Sequence, residues 1–177
     1  MYPRILVPVD GSDASAAALN EALRLARGHR AELLLLHIVR APIFDYAFSP
    51  TDSSRREIVA ALSKIGKSIL GKAETAVREQ GLIPQCLLIE SVAGSAAAVI
   101  LAQARQWPAD LIVMGIHPRG GPKAVGSDTA EVLSGAPVPV LLVRAPVESA
   151  ENAQRQSTVH RELEYESAAA GTTAVGP

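Results

Sequence analysis

The sequence holds a single cysteine, Cys86, so no internal disulfide pair exists and a small secreted scaffold held by cross-links is excluded. Its histidines, at positions 29, 37, 117 and 160, keep no metal-ligand spacing with that cysteine, so no metal site is expected. Aromatic residues make up only 3% of the chain, and 17 basic residues stand against 18 acidic ones with no basic run longer than Arg55-Arg56. With too few rings to stack on bases and no basic stripe to neutralise phosphates, nucleic-acid binding is not expected. Long apolar runs are missing as well. After Met1-Tyr2-Pro3-Arg4 only five apolar residues precede Asp10, short of a signal-peptide core or a spanning helix. The expected setting is a reducing cytoplasm without membrane association.

What the sequence does have is aliphatic and periodic. Its 177 residues can bury one core. Short runs rich in Val, Ile and Leu at 4–10, 32–39, 85–90, 111–115 and 138–144 alternate with longer helical stretches. That alternation is the pattern of βαβ units, and runs apolar on both faces predict strands covered from both sides. The fold class expected is α/β, a three-layer open sandwich with a five-stranded parallel sheet and helices on both faces.

Between the first two runs, 13–27 predicts a helix with Ser12 as N-cap, Gly28 as its stop, and Ala17, Leu19 or Ala18, Ala22, Leu23 and Ala26 on one face. The proline-bounded stretch 41–50 is a candidate cover for a pocket. A long helix over 51–80 ends at Gly81. A third helix over 95–106 has Val99, Ile100 and Leu101 as buried candidates and ends at Trp107-Pro108, and a short fourth covers 127–133. Residues 1–144 therefore form the expected domain. The last stretch, 145–177, rich in Ala, Glu, Ser, Gln and Thr without an apolar period, is expected to be a disordered tail.

Three segments invite a chemical reading. At 61–68, Gly66-Lys67-Ser68 nearly matches a phosphate-binding loop, but Ala61 stands where the first glycine belongs and the segment lies inside a helical pattern, so the match is accidental. Pro8-Val9-Asp10-Gly11-Ser12 turns from strand to helix. Asp10-Gly11 is ordinary turn chemistry, yet a carboxylate at the carboxyl edge of a parallel sheet is also placed to accept from a ligand amino group. After the fourth run, 114–129 carries glycines that bracket a loop opening a helix, where backbone amides approach a phosphate, with Arg119 and Lys123 as possible ion contacts. The plain alternative is a surface loop capped by Ser127. His117 in this loop has no identifiable catalytic partner, and Asp13 and Asp128 suit the first turns of helices.

With these residues in view the chain resembles the universal stress protein family over residues 3–144. The likeness rests on Ile5-Leu6-Val7-Pro8-Val9-Asp10-Gly11-Ser12, Leu36-His37-Ile38, Ala109-Asp110-Leu111-Ile112-Val113-Met114-Gly115 and Ala136-Pro137-Val138-Pro139-Val140-Leu141-Leu142-Val143-Arg144, in that order. The resemblance implies strand order 3-2-1-4-5, which places Asp10 beside Gly115. It also implies a homodimer through the last strand, whose edge at 140–143 would otherwise be unpaired. In ATP-binding members adenine lies near the positions of Pro8, Asp10, Ile38 and Met114. Ribose and phosphates follow a G-x-x-G-x9-G-[S/T] loop that carries over to Gly115, Gly126 and Ser127, with Thr129 following.

The sequence departs from that loop. Pro118 replaces the second glycine and removes an amide donor, only the residues 119–125 separate it from Gly126, and the Asp128 carboxylate stands next to the expected phosphates and repels them. The function implied is a cytoplasmic stress-response protein that binds an adenine nucleotide, ATP or AMP or a cyclic nucleotide. Its role would be signalling or protection rather than turnover, the nucleotide biasing the loop at 117–125 so that an unidentified protein partner reads the state. Weak ATP hydrolysis stays open. The alternative is a nucleotide-free dimeric interaction module of the same fold.

Overall fold

Strand β1, Arg4–Pro8, supplies the centre of the sheet, and its Ile5, Leu6 and Val7 are completely buried. A strand buried on both faces needs helices above and below, and the chain provides them in alternation: α1 (Asp13–His29), β2 (Glu32–Arg40), α2 (Asp52–Glu79), β3 (Gln85–Ser91), α3 (Ala96–Gln106), β4 (Leu111–Ile116), α4 (Ser127–Gly135) and β5 (Val140–Arg144). The computed structural model describes residues 2–40, 52–91, 95–116 and 126–145. The expected cover at 41–50, the loop at 117–125 and the tail lie outside those residues, apart from Ala145, which is buried and belongs to the unit Met1–Ala145.

All five strands are parallel, in the order β3-β2-β1-β4-β5. Alternation along each strand splits the core into two layers. Ile5, Val7, Leu33, Leu35, Leu111 and Val113 face α1 and α2, packing with Ala18, Ala22, Leu70 and Val77. Leu6, Leu34, Leu36, Ile112 and Met114 face α3 and α4, packing with Ala97, Ile100, Leu101 and Val132. Burying each such aliphatic side chain contributes about 1.5–3 kcal/mol, and the rings of Tyr2 and Trp107 pack, partly exposed, against the two layers.

Several element ends differ from the sequence expectation. Helix α1 buries Ala14, Ser15, Ala18, Leu19, Ala22, Leu23 and Ala26, whereas Ala17 is half-buried, and it runs through Gly28 to His29. Its stop is Arg30, at φ 51°, because Ala31 is buried and its N–H donates to the Ala26 carbonyl, which sets the turn two residues beyond the glycine. Gly81, at φ 77°, does end α2 as expected. In α3, Ala97 and Ala104 join Ile100 and Leu101 in the core, and Val99 is only half-buried. Strand β1 stops at Pro8 instead of Asp10, since Gly11 at φ 82° turns the chain and Asp10 Oδ1 accepts from Ser12 N at 2.9 Å. Strand β5 begins at Val140 because Pro137 and Pro139 lack the N–H a ladder needs.

The parting of β1 from β4 positions the site. Their register pairs Ile5 with Leu111 and Leu6 with Ile112 and goes no further, whereas β1 stays paired with β2 up to Pro8 opposite Leu36. Val9 N donates to the Leu36 carbonyl, so odd residues of β1 point their amides at β2 and even ones at β4. Pro8 therefore lacks its donor on the β4 side. The β1–β4 register ends at Leu6, and a crevice opens at the carboxyl end of the sheet, where the strand order reverses.

Candidate nucleotide site

A cavity of about 430 Å³ occupies that crevice. Its walls bring together Pro8, Asp10, Ile38, Met114, Gly115, Gly126, Ser127 and Thr129, drawn from β1 and the turn after it, β2, β4, and α4 with its N-cap. Arg119, the remaining candidate, lies outside the described residues. Leu36, Ile38, Ile100 and Met114 make an apolar floor, and the polar groups stand at the rim, the usual division of labour in a small-molecule site.

The β1–α1 side is internally satisfied. Asp10 Oδ1 holds the turn through Ser12 N, Ser12 Oγ accepts from Ser15 N at 3.1 Å, and Ser15 Oγ donates to the Ser12 carbonyl at 3.0 Å. Those bonds cap α1 and aim Asp10 along the cavity wall. A carboxylate offers about four acceptor positions, so holding a turn is compatible with accepting from a ligand amino group. Gly115 has a steric role. A Cβ there would stand 2.1 Å from the Ala14 carbonyl oxygen and 2.7 Å from Ser15 N, so glycine is what lets the start of α1 lie directly on β4.

His37, buried at 9% exposure, ties the back of the site. Its Nδ1 lies 2.7 Å from the Val9 carbonyl, which can only accept, so the proton is on Nδ1. The ring packs on α2 at Gly66, where a Cβ would come within 2.6 Å of His37 Cδ2. The glycine of the accidental phosphate-loop match thus serves as a seat for an imidazole inside a helix.

The α4 side is different. Its N-cap is Gly126, with no side-chain capping bond, and Ser127 is the first helical residue rather than the cap. Asp128 occupies the first turn, and its Oδ2 lies 3.7 Å from Arg40 Nη1. The acid expected to repel the phosphates is therefore paired with a cation. Arg40 was not among the sequence candidates, which ended the second strand at Val39. Side chains alternate along a strand, so Arg40 shares the face of Ile38, two residues before it, and that spacing was the available signal. Among the described residues no cluster of metal-binding side chains occurs and no helix is long and apolar enough to cross a membrane.

The family model for the universal stress protein family matches residues 1–144. The chain belongs to the universal stress protein family. A universal stress protein of Methanocaldococcus jannaschii is 30% identical over 82% of this chain and 84% of its own length. One of Thermus aquaticus is 36% identical over 81% of this chain and the whole of its own. Among solved structures, the universal stress protein UspA from Lactobacillus plantarum superposes with a TM-score of 0.68 at 31% identity, covering 81% of this chain and 98% of that one. Two structures similar in fold carry nucleotides: a universal stress protein in complex with cAMP (TM-score 0.60, 21% identity, 82% and 99% covered) and an Arabidopsis thaliana family member with AMP bound (TM-score 0.62, 19% identity, 82% and 94% covered).

Proposed function

We propose that this universal stress protein binds an adenine nucleotide in the crevice between β1 and β4 and acts as a binding protein in a stress response, without a defined turnover of its own. The observation that carries this reading is the cavity itself, of about 430 Å³ and at the point where the strand order reverses. The bound nucleotides of the two fold-similar proteins agree with it. Ile38 and Met114 would hold the adenine ring between apolar surfaces, and Asp10 would accept from its amino group. Phosphate would lie toward Gly115, Gly126, Ser127 and Thr129, where the amides opening α4 favour negative charge. Two copies would pair through β5, whose residues 140–143 are half-buried in the single chain and which, among the described residues, pairs only with β4.

Calorimetric titration of the full chain with AMP, cAMP and ATP at millimolar ligand tests the reading. Heat of binding together with a rise in melting temperature that scales with ligand concentration is expected for at least one of them. No heat and no thermal shift with any of the three overturns it and leaves the nucleotide-free interaction module.

A further inference from the structure

Of the charged side chains that line the cavity among the described residues, two are carboxylates, Asp10 and Asp128, and one is a guanidinium, Arg40. Arg40 ends β2 on the face that carries Ile38, and it meets Asp128 across the mouth of the cavity at 3.7 Å. We propose that Arg40 is the phosphate-recognising side chain of this site, and that Asp128, its partner at rest, makes the site select a nucleotide with one phosphate over one with several. The proposal rests on the adenine-nucleotide reading of the cavity.

The pair is long and its side chains are 58% and 38% exposed, so it is weakly held and a phosphate can take the place of the carboxylate with little loss. A phosphate is also the better partner. The guanidinium fork matches two phosphate oxygens at once, whereas it reaches Asp128 through a single 3.7 Å approach. Asp128 is fixed to the first turn of α4 and stays close after Arg40 has turned to the ligand. A phosphomonoester brings a charge of about −1.5 to −2, which one guanidinium and the amides at the start of α4 can balance. Each further phosphate adds negative charge beside Asp128, and the repulsion from that carboxylate grows with it.

Dissociation constants of the full chain for adenosine, AMP and ATP, measured by calorimetry without added metal, test this. The wild type is expected to bind AMP at least about tenfold more tightly than ATP. In Asp128→Asn and Asp128→Ser the ATP affinity rises about tenfold while that for AMP changes by less than about threefold, and in Arg40→Gln the AMP affinity falls about tenfold with adenosine unchanged. An ATP-to-AMP ratio that stays the same in both Asp128 variants, or an Arg40→Gln protein that binds AMP as the wild type does, overturns the inference while leaving nucleotide binding in place. If the wild type and both Asp128 variants bind none of the three ligands, the reading of the cavity fails and the inference fails with it.

Discussion

Two helix starts line the same cavity and are built in opposite ways. At the start of α1, Ser12 caps the helix, Asp10 closes the turn before it, and the backbone lies directly against Gly115 of β4. At the start of α4, Gly126 offers no side-chain cap, and the acid of the first turn is held by Arg40 from a different strand. One start spends its side chains on its own backbone and becomes a fixed wall. The other leaves its amides without a side-chain cap and carries a long, exposed charge pair, the two features on which the proposed phosphate site rests.

The difference can be broken most severely at Gly115. Gly115→Ala places a Cβ against the backbone of Ala14, which cannot swing aside as a side chain would, so a loss of about 3 kcal/mol or more in urea-unfolding stability is expected. Gly126, whose added Cβ would meet nothing within 4 Å, provides the contrast on the other helix. A Gly115→Ala protein as stable as the wild type would remove the fixed-wall description of the β1–α1 side.

A smaller effect is expected at Gly66, behind the same wall. Gly66→Ala gains helix propensity worth about 1 kcal/mol but presses on a buried imidazole anchored to Val9, for a net loss of about 1–2 kcal/mol. Gly71→Ala in the same helix has open space and is expected to gain about 0.5–1 kcal/mol. Denaturant titrations of the two variants should therefore move in opposite directions, and movement in the same direction would contradict the seat assigned to His37.

The smallest pair compares the caps themselves. Ser12→Ala removes the acceptor for Ser15 N and should lower stability by about 1 kcal/mol, whereas Gly126→Ser supplies the cap that α4 lacks and should raise it by a few tenths of a kcal/mol. In calorimetric melts, equal and opposite shifts would mean that the two helix starts are equivalent. A nucleotide affinity that falls in Gly126→Ser while stability rises would sharpen the distinction between capping a helix and leaving its amides to a ligand.

Much of this molecule was legible before its structure. The order of strands and helices, the two-sided burial of β1 and the Ser12 cap follow from apolar periodicity and turn chemistry, which act between residues a few positions apart. The strand order came through the family resemblance and is the one observed. Element ends were less legible. Arg30 in a left-handed conformation took the part expected of Gly28, because the buried position of Ala31 decided where the chain turned.

By itself the sequence determined the α/β alternation and the aliphatic core, since a period of about two or 3.6 residues is a local property that every conformation of the chain carries. Only the tertiary structure decided what Gly115, Gly66 and Arg40 do. Each is explained by an atom far away in sequence: the Ala14 carbonyl, the His37 ring and the Asp128 carboxylate. Periodicity cannot show such contacts, because they exist only once the crossovers have packed α1 on β4, α2 on β2 and the start of α4 beside the end of β2.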